Sequence, residues 1–334
     1  MNKPLRHSYW GQTTDHRDIL KKIKEIGPIL EKNAPADEAA GELTKETFEA
    51  LRQLRMSHSM APEDLGGAQL PPRQVLELIE AITWYSGSAG WVSMVHTAIG
   101  AMSAAFLPDT AVEKLFAPGT EHRFSGQGAP LGMLKEVEGG YKLNGKWSYG
   151  SGFSHATYSH SAAFVDDGNG KPKMDEHGNP IIICTHAPIE QHKQLGNWDV
   201  LGLKGTGSID YAAEDLFIPD DMVYPIATAI PQRQKELFSL GVIGLAAPGP
   251  AQQWHGDHAV GQAKRQSAPS RNQPSVHRVP PPWFGEKAIA LSIGIPTRNV
   301  SPANHGWRLL PKPLACSPEP RHEEPVHPRI SVSG

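Results

Sequence analysis

Residues 139–152 read Gly139-Gly140-Tyr141-Lys142-Leu143-Asn144-Gly145-Lys146-Trp147-Ser148-Tyr149-Gly150-Ser151-Gly152. Short alternating runs lie between two turn signals, Gly139-Gly140 and Asn144-Gly145, and that combination predicts β-hairpins. From Gly145 to Gly152 the stretch also concentrates two aromatics, hydroxyls and glycines. Glycines let a flat ligand approach the backbone, aromatic rings cover it, and a hydroxyl or N–H reaches its edge. A tight hairpin around a buried Trp147 accounts for the same composition equally well.

Outward from this stretch, strand-like alternation begins near Arg123 and returns over 157–165, 181–185, 200–208 and 209–218, with a polar loop at 166–170. These runs predict a β-sandwich or barrel of about 90–100 residues. Upstream the period is helical. Ile19, Ile23, Ile26 and Leu30 form one apolar stripe, with Pro28 placed to kink or end the helix. Thr44 is positioned to cap a second helix burying Phe48, Leu51 and Leu54. Pro71-Pro72 opens a third with Val75, Leu78, Ile79 and Ile82 on one face. A fourth, from Trp91 to Phe106, is apolar all round, and Asp109 is placed to cap a short fifth. The boundaries that follow are an N-terminal α-helical domain over 15–120 and a central β-domain over 121–225. The start of a C-terminal helical domain over 226–247 and a Pro/Arg/His-rich tail over 248–334 complete them.

The whole chain has 334 residues, 39% hydrophobic and 20% charged, enough for about two folded domains. With 32 Lys+Arg against 35 Asp+Glu the net charge is −3, which argues against a nucleic-acid binder. Two cysteines make no disulfide framework and fit a reducing cytoplasm, and no apolar run is long enough for a membrane helix. Walker, HExxH, GxSxG and CxxC patterns are missing from the sequence. His255 with His258, and His155 with His160, have metal-like spacing, but their surroundings favour incidental histidines. Gly205-Thr206-Gly207-Ser208 looks like a phosphate loop yet stands between strands, without the helix N-terminus such a loop uses.

Four segments, in order, resemble the acyl-CoA dehydrogenase fold, and within it the two-component flavin-dependent aromatic monooxygenases related to 4-hydroxyphenylacetate hydroxylase oxygenase components. They are Met60-Ala61-Pro62-Glu63-Asp64-Leu65-Gly66-Gly67, Gly87-Ser88-Ala89-Gly90-Trp91-Val92, Gly139 through Trp147 to Gly152, and Trp198-Asp199-Val200-Leu201-Gly202-Leu203-Lys204-Gly205-Thr206-Gly207-Ser208 followed by Ile218-Pro219. The resemblance runs from about residue 15 to 247. It implies an α+β chain: an N-terminal helical domain, a central β-sandwich or barrel, and a C-terminal four-helix bundle that usually assembles tetramers. It further implies that reduced FMN or FAD, supplied by a separate NAD(P)H:flavin reductase, reacts with O2 to a C4a-hydroperoxide that hydroxylates a small aromatic or indole-like substrate. Ser151 matches the hydroxyl near flavin N5. Gln127, Gly128, Ala129 and Pro130 match the strand end beside the ring, with Trp147, Tyr149 and Gly152 adjoining it. The family often places a His about nine residues after the Trp91 position. Here that residue is Gly100, which leaves His96, one turn earlier, as the candidate catalytic residue beside Ser151.

The resemblance breaks near Pro248. Fifteen of the thirty prolines fall in 248–334, among Arg, His and Ser without apolar periodicity, which is the composition of a disordered segment. An abrupt change of this kind is what a shifted reading frame or truncation produces. Two other readings therefore stand beside the oxygenase: an acyl-CoA dehydrogenase with bound FAD, and an inactive truncated remnant.

Overall fold

Among the residues that the computed structural model describes (15–117, 119–233 and 238), five helices precede the first strand. The first, α1 (His16–Ala40), is capped by Asp15, whose side chain accepts from the Arg17 N–H at 2.8 Å. It buries the Ile19, Ile23, Ile26 and Leu30 stripe and runs unbroken through Pro28 and Pro35. Both prolines stand on the exposed face, where water hydrates the freed carbonyls. Each interior proline costs ~3 kcal/mol, whereas the four buried side chains contribute ~1.5–3 kcal/mol each, so the packed face decides the outcome. The helix ends instead at Gly41, whose φ of 75° few other residues tolerate.

Thr44 occupies the cap position of α2 (Lys45–Arg52), but its hydroxyl donates to buried Asp37 Oδ1 at 2.7 Å rather than serving the helix. In α3 (Pro72–Tyr85) the expected Val75, Leu78, Ile79 and Ile82 face is buried. Ser86 starts α4 (Gly87–Phe106) four residues before Trp91 by accepting from Ala89 N–H at 3.3 Å. Pro108, rather than Asp109, holds the cap position of α5 (Asp109–Leu115).

Seven strands follow: β1 (Phe124–Val137), β2 (Gly140–Gly150), β3 (Tyr158–Val165), β4 (Ile182–Pro188), β5 (Lys193–Gly196), β6 (Ile209–Pro219) and β7 (Val223–Pro225). They form one ladder in the order β5-β6-β2-β1-β3-β4-β7, with β1 and β3 parallel and the other neighbours antiparallel. Tyr211 on β6 places its hydroxyl 2.9 Å from Ser161 Oγ on β3, three places away in the ladder. In a flat sheet those strands would lie ~14 Å apart, so the sheet curls over its own aromatic core.

Two local expectations are corrected here. Asn144-Gly145 is not a turn, because β2 continues through it. The pair instead marks a register shift against β6, and Asn144 Oδ1 accepts from Asp215 N–H at 2.8 Å. A Cβ on Gly145 would stand 2.6 Å from Gly132 Cα and 2.7 Å from the Trp147 ring, so close packing, not a hairpin, requires the glycine. Residues 200–208 form no strand either. They make a loop with a 3₁₀ turn at Lys204–Thr206, and Leu203 and Gly207 have positive φ.

Helix α4 joins the helical layer to the sheet. Its side chains reach Ser151 and Gly152 near its start and His186 of β4 near its end, where Ser103 Oγ lies 2.9 Å from His186 Nε2. No helix among the described residues is long and apolar enough to cross a membrane. The C-terminal bundle and the tail over 248–334 lie outside the described residues, as does the helix expected from residue 236 apart from Phe238.

Candidate functional site

Ser151 is buried where β2 gives way to the Phe153–His155 turn, and its hydroxyl belongs to a chain of polar groups. Trp91 Nε1–H donates to Ser151 Oγ at 3.0 Å. Ser151 Oγ lies 2.6 Å from Ser208 Oγ, which lies 2.7 Å from Thr206 Oγ1, and Thr206 donates to the Leu203 carbonyl at 2.7 Å. The end of the chain fixes its direction. A carbonyl can only accept, so the Thr206 proton is committed to Leu203. Ser208 must then donate to Thr206, and Ser151 to Ser208. A serine oxygen has one proton and two lone pairs. With its proton on Ser208 and one lone pair on Trp91, Ser151 retains one lone pair as an acceptor.

The backbone around Ser151 is shaped for this exposure. Tyr149 adopts φ 62°, Ser151 N–H bonds to its carbonyl at 2.8 Å, and the β2–β6 register shifts between Trp147 and Gly150. The bulge turns Tyr149 outward, 64% exposed, edge-on to Trp198 at 6.0 Å. Trp147 behaves differently. It is fully buried, stacked on Tyr211 at 5.5 Å, and donates to the Ala162 carbonyl at 2.9 Å. Trp147 thus fills the sheet core, and Tyr149 is the aromatic of the two left at the surface. In the strand-end segment, Gln127 spans back to the Ser148 carbonyl (3.2 Å) and accepts from Ala129 N–H (3.2 Å). Gly128 is exposed, and a Cβ built on it meets nothing within 4 Å, while Ala129 and Pro130 are half-buried. An open backbone edge, an exposed aromatic and a buried acceptor fit the edge of a flat heteroaromatic ring.

The phosphate-loop look of 205–208 has a different explanation. Glu38 of α1 accepts from the Lys204 N–H at 2.8 Å, from the Gly205 N–H at 3.1 Å and from the Ser88 hydroxyl. The loop's anion position is thus filled by the protein's own carboxylate, which holds Thr206 and Ser208 in place.

His96 approaches Ser151 from the helical side. It is buried, and its Nε2 lies 3.3 Å from the Gly152 carbonyl, so that nitrogen carries the proton. Burial, reinforced by Arg123 against the opposing Gly152 bond, pushes its pKa down to about 3. The imidazole is therefore neutral across ordinary pH and holds the Gly152 backbone. Position 100 has no room for a base: a Cβ there would stand 2.1 Å from the Ser57 carbonyl.

His96 and Val92 also form one wall of an open cleft that reaches to α2, the Met56–His58 turn and residues 121–123. Arg123, His122, Arg55 and His58 line it, none of which the sequence reading singled out as functional. The only sequence signals were the three-residue steps Arg52, Arg55, His58 and the adjacent His122-Arg123. His58 is also held to about 3, by burial first and then by Arg55, His122 and Arg123.

The chain matches no model of a known protein family. It is 30% identical over 209 residues to the oxygenase subunit HsaA of a flavin-dependent monooxygenase from Mycobacterium tuberculosis (strain CDC 1551 / Oshkosh), covering 62% of this chain and 50% of that protein. It is 27% identical over 224 residues to the oxygenase component of an FADH(2)-dependent resorcinol hydroxylase from Rhizobium sp. (strain MTP-10005), covering 66% and 52%. The solved structure of XiaF from Streptomyces sp., in complex with FADH2 and glycerol, superposes with a TM-score of 0.65 at 21% identity, covering 78% of this chain and 66% of that one. The resemblance read from the sequence is borne out, and the helix-then-sheet fold is that of these acyl-CoA dehydrogenase-like oxygenases. The chain spans about half the length of the curated relatives it matches.

Proposed function

We propose that this chain is the oxygenase component of a two-component flavin-dependent monooxygenase. It would hydroxylate a small aromatic or indole-like substrate with O2 and with FMN or FAD reduced by a separate NAD(P)H:flavin reductase. The observation that carries this reading is the direction of the hydroxyl chain, which leaves buried Ser151 as an acceptor. A reduced isoalloxazine ring carries a hydrogen on N5, whereas an oxidised ring presents a lone pair there, so the acceptor matches the reduced cofactor. When bound, reduced flavin supplies the electrons that activate O2. Trp91 and Ser208 fix the Ser151 oxygen, and Tyr149 with the 127–130 segment borders the ring. His96 donates its proton to the Gly152 carbonyl and so positions the residue after Ser151. Ser151, Ser208 and His96 are themselves buried, which limits the access of water to the Ser151 acceptor. A cytoplasmic homotetramer belongs to the same reading, and light scattering checks the assembly.

The test mixes the full chain anaerobically with reduced FMN, admits O2, and measures hydroxylated product and free peroxide over a panel of phenols and indole. Coupled hydroxylation is expected, with Ser151→Ala shifting the yield about tenfold toward free peroxide while the fold persists. A chain that binds no reduced flavin would refute the reading.

A further inference from the structure

Where residues 127–130 border the site, β1 parts from its neighbours in the sheet. Its ladder pairs with β2 run from Gly132↔Gly145 to Val137↔Gly140, and among the described residues none joins 124–131 to β2. On the other side β1 pairs with β3 at Gln127↔Ser161 and again at Gly132↔Ala163, so 128–131 stand opposite Ala162 alone. The segment bulges out of the sheet, which leaves Gly128 and Leu131 exposed.

A backbone that leaves a ladder loses partners on both sides, and here side chains take their place. From β1, Ser125 Oγ donates to the Ser151 carbonyl at 2.7 Å, and Gln127 Nε2–H to the Ser148 carbonyl at 3.2 Å. From β2, the Trp147 Nε1–H donates to the carbonyl of Ala162, opposite the bulge, at 2.9 Å. From β6, two places along the ladder, the Tyr211 hydroxyl accepts from the Gln127 N–H at 3.1 Å and lies 2.9 Å from Ser161 Oγ. Tyr211 is fully buried, and its ring stacks on Phe153 at 4.1 Å and on Trp147 at 5.5 Å. Those stacks fix where the hydroxyl stands. A phenylalanine would stack in the same way, so what the tyrosine adds is its two hydrogen bonds.

Gln127 carries that fixed point outward. Its N–H is held by Tyr211, its side-chain N–H groups reach Ser148 on β2, and its Oε1 accepts from the Ala129 N–H inside the bulge. We propose that Tyr211 is a positioning residue for the cofactor site. From inside the sheet its hydroxyl sets Gln127, and Gln127 sets the gap between the 128–131 bulge and the Ser148–Ser151 backbone. The catalytic meaning rests on the oxygenase reading above, whereas the hold on residues 127–131 rests on geometry alone.

Tyr211→Phe keeps the stacks and removes the acceptor of the Gln127 N–H. Ser161→Ala is its control: it removes the hydroxyl's other partner and leaves the Gln127 bond in place. In the full chain without flavin, hydrogen exchange over 127–131 is expected to speed up about fivefold in Tyr211→Phe and less than about twofold in Ser161→Ala. Reduced-FMN affinity, from anaerobic titration, is expected to fall about three- to tenfold in Tyr211→Phe and to stay within about twofold in Ser161→Ala, although both lower the thermal midpoint. A double-mutant cycle tests the route. Gln127→Ala should weaken reduced-FMN binding about tenfold, and adding Tyr211→Phe should weaken it no further. Equal effects of Tyr211→Phe and Ser161→Ala, or additive losses in the double variant, would overturn the proposal. A native chain that binds no reduced flavin refutes the oxygenase reading instead, and the exchange measurement still decides whether Tyr211 holds the segment.

Discussion

Replacing Ser208 by alanine should weaken the site's preference for reduced over oxidised flavin, and the hydroxyl chain sets the size of the effect. In the native chain Ser151 donates to Ser208 because Ser208 has spent its own proton on Thr206, and Thr206 on the Leu203 carbonyl. The lone pair left on Ser151 gains one hydrogen bond from a reduced ring, a net ~0.5–1.5 kcal/mol. Against the N5 lone pair of an oxidised ring it leaves an unsatisfied contact, which costs ~1–3 kcal/mol. A conservative total of ~2 kcal/mol is a preference of about thirtyfold. Ser208→Ala frees the Ser151 proton to point at an oxidised N5, so the ratio of dissociation constants should fall by roughly ten- to thirtyfold. Thr206→Val should act the same way from one step further off. Without Thr206 as acceptor, Ser208 can turn its proton to Ser151, which again becomes a donor. Anaerobic titrations of oxidised and dithionite-reduced FMN measure both ratios. If either variant weakens the two redox states equally, or leaves the ratio unchanged, the directional reasoning is wrong.

Glu38→Ala removes the carboxylate that receives the Lys204 and Gly205 N–H groups and the Ser88 hydroxyl. It should lower stability by ~2 kcal/mol in chemical denaturation and weaken reduced-flavin binding along with it. Gly100→Ala places a Cβ 2.1 Å from the Ser57 carbonyl and should cost ~3 kcal/mol, read as a lower thermal midpoint; an unchanged midpoint would mean that α4 and the 56–58 turn are not packed as described. Acid should also destabilise the fold through His160, which is buried with its Nε2 2.8 Å from the Tyr224 hydroxyl. Burial holds its folded pKa at about 4 against an ordinary 6.5, so the unfolded chain takes up the proton first. This stabilisation is whole above pH ~6.5 and is lost as pH falls toward 4, ~3 kcal/mol in all; His160→Gln should flatten the stability profile across that window.

The helices were legible because each carries its core on a regular stripe, as Val75, Leu78, Ile79 and Ile82 do on α3. Errors came where one local signal serves two backbone outcomes. Asn-Gly favours a positive-φ turn, but in β2 the glycine is needed because the Trp147 ring and Gly132 leave no space for a side chain. Pro28 breaks helices in isolation, and α1 continues through it because the packed Ile19, Ile23, Ile26 and Leu30 face outweighs its cost while the proline itself stays on the exposed side. At the site, Ser151 was legible through its glycine-rich surroundings. Its partners Trp91 and Ser208 stand about sixty residues away on either side, and no spacing rule connects them. Still less could spacing bring Arg123 and His122 to the cleft that Arg55 and His58 enter from another element.

The loop at 203–208 shows how local strain and long-range contacts combine to give the site its chemistry. Leu203 sits at φ 57°, a left-handed conformation that costs a branched residue ~1–2 kcal/mol. That turn presents its carbonyl to both the Thr206 N–H (3.2 Å) and the Thr206 hydroxyl (2.7 Å), which makes it the acceptor that orients the whole chain of protons. Glu38 holds the strained turn closed from α1 by binding the two N–H groups that follow Leu203. Tyr149, on the opposite side of Ser151, is strained in the same sense at φ 62° and turned outward. Strain of this kind persists only where surrounding contacts over-determine it. Here those contacts are a carboxylate on one side and a bulged strand on the other. Leu203→Gly should therefore relieve the local strain yet loosen the carbonyl that directs the protons. The expected result is a thermal midpoint that holds or rises while the reduced-over-oxidised flavin preference falls. A variant that keeps its full redox preference would show that the direction of the chain does not depend on this turn.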